Sequence, residues 1–181
     1  MITNRSRICA ILFLILISSA SSAKPYYGGT FSIPLVTKEP QALRGYQFML
    51  NYDPQRFKWN DVDLYFDGGF SAFSASGTRN YTALAIYSIA PILRYSFQQR
   101  GPAQPFVELS VGLSYLNHTR LENRNLGIHF SFQDRLGGGI LLGHDSKLVL
   151  GLHAVHYSNA HLSSHNSGIT IPLALDIGYR F

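Results

Sequence analysis

The sequence predicts an all-β fold, an eight-stranded antiparallel transmembrane β-barrel, and three observations point to it. The first is the carboxyl-terminal stretch, where Ile171, Leu173, Leu175, Ile177, Tyr179 and Phe181 interleave with Pro172, Ala174, Asp176, Gly178 and Arg180. One face is apolar and closes in aromatics, the other is small or charged: the inside-out alternation of a strand with lipid outside and a polar lumen within. The second is that Gly, Pro or a charge interrupts every later apolar run before it could form a membrane-spanning helix. The third is the recurrence of the same two-residue period in eight segments, an even number, as expected of a bacterial barrel with both chain ends in the periplasm. Closure removes every sheet edge, which hydrocarbon demands because it cannot solvate unpaired backbone groups.

Taken in order, residues 1–23 read as a signal peptide. Arg5 and Arg7 form a basic start, Ile8 to Ile17 an apolar core, and Ser21-Ser22-Ala23 a small-residue cleavage site. The barrel domain is then 24–181, with strands expected at about 26–36, 43–53, 61–74, 82–98, 104–117, 126–143, 147–159 and 169–181. Turns near Asp53–Asn60, Gln98–Gln104 and Gly143–Lys147 fall on one side of the membrane. Links near Thr37–Ala42, Ser74–Tyr81, Asn117–Arg124 and Ala160–Gly168 fall on the other. A terminal Phe also resembles the assembly signal of outer-membrane proteins, so the expected location is the bacterial outer membrane. Eight strands enclose only enough room for side chains, so lipid chemistry belongs on the outer wall rather than in a pore.

Composition narrows the chemistry. Cys9, inside the leader, is the only cysteine, which excludes disulfides, thiolate catalysis and cysteine-bound metals from the mature chain. Loss of Arg5 and Arg7 takes the formal charge from +5 to +3, with 13 basic against 10 acidic residues, too mild a balance to suggest nucleic acid. The histidines from His153 to His165 do not make a metal site: His153 and His156 fall on opposite faces, and no carboxylate completes a ligand set. Gly137-Gly138-Gly139 lacks the lysine and helix of a phosphate loop and reads as a place of close strand approach.

The candidate chemistry lies at the end of the seventh segment. With a period of two, Leu148, Leu150, Leu152, Ala154, His156 and Ser158 share one face, so an apolar stripe leads to an imidazole and a hydroxyl side by side. A hydroxyl needs a base to become a nucleophile, and histidine is the usual base near neutral pH. Polar groups facing hydrocarbon are costly and rarely accidental. The pair therefore suggests a serine esterase acting on a lipid. Arg79, Arg120 and Arg124, with His118, His161 and His165, lie in links at the same end, where cations could meet phosphates.

Four short motifs extend this reading: Pro105-Phe106-Val107-Glu108, Asn125-Leu126-Gly127, Phe132-Gln133-Asp134-Arg135-Leu136-Gly137, and His156-Tyr157-Ser158-Asn159-Ala160 followed by Asn166 and Gly168. In this order, behind a leader and before a terminal Phe, they resemble the PagL-type lipid A 3-O-deacylases, outer-membrane serine hydrolases. The resemblance implies that His156 is the base and Ser158 the nucleophile, that Asn166 helps hold the oxyanion, and that Asn159 supports the site. Backbone amides around Ala160 and His161 are further candidate donors. It also exposes a departure. The family's third member is a glutamate two residues after a glycine, and here Thr170 stands at that position after Gly168. Threonine can accept a hydrogen bond from the ring but carries no charge. Three readings stay open: a weakened Ser/His dyad, a substitute carboxylate from Asp176 or Asp134, or a decayed site. Asp176 alternates with the outward positions and points inward unless a bulge near Pro172 changes the register.

The resemblance implies lipid A as substrate, outer-membrane lipid as surroundings and no cofactor; nucleic acid has no place. It leaves open homodimerisation, acyl-chain preference and latency in the membrane. The competing reading, from another class, is a non-catalytic barrel that binds lipopolysaccharide or anchors the envelope.

Overall fold

The computed structural model describes residues 24–40, 42–76 and 81–181; the leader expected over residues 1–23 lies outside them, as does Arg79. Eight long strands build the wall: β1 (Tyr26–Val36), β2 (Leu43–Asp53), β3 (Val62–Ala75), β4 (Ala83–Ser96), β5 (Ala103–Leu116), β6 (Phe130–Leu142), β7 (Leu148–Ser158) and β8 (Ile169–Arg180). Each pairs antiparallel with the next, and β1 closes the ring on β8 from Gly28↔Arg180 to Val36↔Leu173. All eight expected segments are present, with ends shifted by a few residues. The largest shift is at β6, expected from 126 but beginning at Phe130. Arg120–Leu121 and Arg124–Asn125 pair with each other instead, and Leu126 turns inward, where it is 5% exposed.

The wall is apolar outside and polar within. Leu109, Val111 and Leu113 of β5 are about half exposed, while the intervening Ser110 and Ser114 are buried. Lumen charges are paired. Arg94 binds Glu108 at 2.8 Å and Arg135 binds Asp67 at 2.7 Å, with the Tyr65 hydroxyl donating to Glu108 at 2.9 Å. His153 lies between Asp176, at 2.8 Å, and Gln47, at 3.1 Å, and Gln47 Nε2 donates to the Tyr157 hydroxyl at 2.8 Å. These contacts offset the cost of burying such groups, though Asp67 Oδ1 and Arg135 Nε find no hydrogen-bond partner among the described residues. The interior is filled with side chains, as expected of eight strands. Close strand approach explains the glycine run too: a Cβ on Gly139 would strike the backbone of Leu150 and lie 2.7 Å from Gly151 Cα.

At one end the polar lumen gives way to an apolar plug. Phe73, Leu84, Ile86, Leu116, Val155, Tyr157, Ile169 and Ile171 pack there with Leu121 and Leu126 of the β5–β6 connection. Burying each large side chain contributes about 1.5–3 kcal/mol, so this end of the wall has a firm backing.

A β-bulge orders the outer face there. Between His153↔Ala174 and Val155↔Ile171, β7 advances two residues while β8 advances three, so β8 carries one extra residue around Pro172. An extra residue inverts the alternation beyond it. On the carboxyl-terminal side Leu173, Leu175, Ile177 and Tyr179 face outward, as expected, and Asp176 inward. On the other side the faces exchange. Ile171, expected outside, is fully buried within, and Thr170 turns to the outer wall.

Candidate active site

His156 and Ser158 stand on the outer face at the end of β7, alternating with buried Val155 and Tyr157. The two-residue spacing therefore holds in space. His156 is flanked in register by Asp134 of β6 and Thr170 of β8. Its Nδ1 lies 2.9 Å from the Thr170 hydroxyl. That leaves Nε2 as the ring nitrogen available to Ser158; among the described residues no hydrogen bond yet joins the two. Such contacts in enzymes are often loose until substrate is bound.

Beyond Ser158 the chain turns sharply, with Ala160 and His161 both in the left-handed region at φ 50° and 62°. Asn159 anchors this turn. It is 2% exposed, and its Nδ2 donates to the carbonyls of Leu126, at 2.9 Å, and His165, at 2.7 Å. Its backbone N–H donates to Asn166 Oδ1 at 2.9 Å. The oxygen end of the Asn166 amide is thereby engaged, leaving the Nδ2 donors, and Asn166 and Ser158 line one narrow cleft with Gly168, Leu126 and Phe130. Asn159 is thus a framework residue, consistent with a supporting part.

Gly168 borders the imidazole. Its φ is +61°, and a Cβ there would lie 3.0 Å from His156 Cε1 and 3.1 Å from the Tyr157 carbonyl. Both conformation and space call for glycine.

Of the two carboxylates considered as substitutes, Asp176 is removed by geometry. It lies inside the barrel on His153 Nδ1, across the wall from His156. Asp134 does face outward opposite His156 but is exposed and, among the described residues, makes no hydrogen bond to the ring. Arg124, expected among the link cations that could meet phosphates, is instead a clamp. Its Nε donates to the Gly168 carbonyl at 3.1 Å, and its Nη2 donates to the Ser167 carbonyl. Arg120 and His118 are exposed.

Sequence reasoning missed Glu39. It belongs to the β1–β2 connection, whose backbone docks beside Thr170: Thr170 N–H donates to the Glu39 carbonyl at 2.9 Å, and Lys38 N–H donates to the Thr170 carbonyl at 3.2 Å. The Thr170 hydroxyl then donates to Glu39 Oε2 at 3.0 Å. No motif surrounds Glu39, and 131 residues separate it from its partner, so nothing local announces the contact.

The chain resembles known proteins in sequence and in fold. Residues 41–180 match the family described as lipid A 3-O-deacylase (PagL). The lipid A deacylase PagL of Pseudomonas aeruginosa is 30% identical over 128 residues, covering 68% of this chain and 71% of that protein. The lipid A deacylase PagL of Bordetella bronchiseptica is 26% identical over 180 residues, covering 94% and 93%. Two crystal structures are similar in fold. The outer membrane enzyme PagL superposes with a TM-score of 0.64 at 24% identity, covering 85% of this chain and 98% of that one. Neisserial surface protein A does so with a TM-score of 0.58 at 14% identity, covering 87% and 96%.

Proposed function

Since the chain belongs to the lipid A 3-O-deacylase family and forms an outer-membrane barrel, we propose that it hydrolyses the ester-linked 3-position hydroxyacyl chain of lipid A, as a carboxylic ester hydrolase, on the lipid-facing outer wall. With the chain ends periplasmic, the plugged end that carries His156 and Ser158 faces the outer leaflet, where lipid A resides. Exposed Arg120 and His118 lie on a loop of that end, and their side chains suit lipid phosphates.

Ser158 Oγ attacks the acyl carbonyl while His156 Nε2 accepts its proton. The oxyanion takes hydrogen bonds from Asn166 Nδ2, whose orientation is held by the bond from Asn159 N–H to Asn166 Oδ1. The intermediate collapses as the imidazolium returns the proton to the departing sugar oxygen, leaving an acyl-serine. Water, deprotonated by His156, then attacks this ester and releases the fatty acid and free Ser158. No step calls for a cofactor. The observation that carries the reading is that His156 and Ser158 share the outer face while Thr170 occupies Nδ1, so that Nε2 is the free base.

Mass spectrometry of lipid A from cells expressing the wild type, Ser158→Ala or His156→Ala tests it. Loss of one hydroxyacyl chain only with both residues intact is the expected result. An unchanged spectrum with all three, given folded barrels in the membrane, returns the chain to a structural or lipopolysaccharide-binding part.

A further inference from the structure

The family's glutamate position holds Thr170, yet a carboxylate lies one hydroxyl further out. We infer that Glu39 is a positioning residue for the esterase, acting on His156 through the Thr170 hydroxyl. This rests on the esterase reading above and deepens it.

The Thr170 hydroxyl oxygen is 2.9 Å from His156 Nδ1 and 3.0 Å from Glu39 Oε2. A hydroxyl has one hydrogen to give and two lone pairs to receive with, whereas an ionised carboxylate only accepts. The Thr170 hydrogen therefore goes to Glu39, and Thr170 accepts from the ring Nδ1–H. This sequence of donors sets the tautomer: Nδ1 carries the proton and Nε2 is left as the base. When Nε2 takes the serine proton, the new positive charge on the ring faces a polarised hydroxyl backed by a negative charge. Threonine alone would orient the ring but could not answer its charge.

The relay is held by the fold from both sides. On the β8 side the bulge at Pro172 turns Thr170 to the outer face beside His156. On the loop side, reciprocal backbone bonds between Glu39 and Thr170 fix the carboxylate at side-chain reach. Arg124 Nη2 lies 3.8 Å from Glu39 Oε2 while the same guanidinium holds the Ser167 and Gly168 carbonyls. One cation thereby ties the acid to the loop that carries Asn166. The two acids weighed as substitutes do not compete on geometry, since Asp176 is across the wall and, among the described residues, Asp134 makes no bond to the ring.

The test is the rate of hydroxy fatty acid release from purified lipid A in detergent, with wild type, Glu39→Gln, Thr170→Glu, the double variant Glu39→Gln/Thr170→Glu, and Asp134→Asn. Loss of the acid from a Ser-His-Asp unit costs about 10⁴-fold; a charge one hydroxyl further out and 39% exposed is worth less, so Glu39→Gln should slow turnover about 10–100-fold. Thr170→Glu in that background should restore the rate to wild type or above, because the carboxylate then touches the ring directly. A merely structural Glu39 would not be rescued by a change at Thr170. Wild-type turnover in Glu39→Gln, failure of rescue in a double variant with unchanged thermal unfolding, or abolition by Asp134→Asn alone would each overturn the relay. Silence of the wild type itself brings down the esterase reading along with it, so the two failures are distinguishable.

Discussion

Replacing Asn159 by Ala is the sharpest probe of how the barrel holds its candidate oxyanion group. The side chain is 2% exposed and gives both amide hydrogens to carbonyls, Leu126 at 2.9 Å and His165 at 2.7 Å. Each bond contributes about 1 kcal/mol net, and although the Leu126 carbonyl keeps the Ile128 N–H at 3.1 Å, the His165 carbonyl loses its partner and adds a desolvation cost, for a total of about 2–4 kcal/mol. That loss is local. The backbone N–H that holds Asn166 survives the substitution, and the strand ladders are untouched. The connection from Asn159 to Gly168 should therefore open more often while the barrel melts as before. At about 1.4 kcal/mol per factor of ten, the Ser167 amide, which donates to the Asn125 carbonyl at 3.1 Å, should exchange its hydrogen about 30- to 1,000-fold faster. Release of fatty acid should fall about 10–100-fold through misplacement of Asn166. Hydrogen exchange read by mass spectrometry, beside a thermal melt, measures both. Unchanged protection at Ser167 together with wild-type turnover would show that Asn159 does not hold this loop, and the account of the site would have to be rebuilt.

Two further substitutions separate the outer wall from the lumen. Gly168→Ala forces a side chain into a left-handed residue, at about 1–2 kcal/mol, and brings a methyl to 3.0 Å from the His156 ring. Turnover should drop at least about tenfold, as a 1 Å misplacement can cost more, with the barrel still folded by circular dichroism; full activity would mean that the imidazole has room to spare. Asp176→Asn weakens a buried partner of His153 and should cost about 1–3 kcal/mol in urea unfolding while leaving turnover per folded molecule within about twofold. Collapse of turnover at unchanged stability would reinstate Asp176 as the acid.

Most of the fold was legible because a barrel wall writes itself into sequence with a period of two. Leu109, Val111 and Leu113 outside and Ser110 and Ser114 inside are one such stretch, and the pairing of His156 with Ser158 on the outer face followed from the same count. What the period cannot carry is a change of phase. Pro172 hinted at the bulge, but the number of residues it inserts is decided by how β7 and β8 meet, and with it whether Ile171 or Thr170 faces out. Burial of Ile169 and Ile171 in the apolar plug rewards the observed choice. The contacts of Arg124 and Glu39 were illegible for another reason. Both lie in connections between strands, and their partners Gly168 and Thr170 are 44 and 131 residues away, beyond any local pattern.

The packed lumen has a consequence for how such a molecule meets its reactant. A cylinder without a bore offers no passage, so under the proposed function everything that reaches Ser158 must drift sideways within one leaflet, and everything released stays in that leaflet or leaves by its surface. Encounter becomes a two-dimensional search, governed by how many barrels share a patch of membrane and how freely its lipids diffuse, rather than by any concentration in the surrounding water.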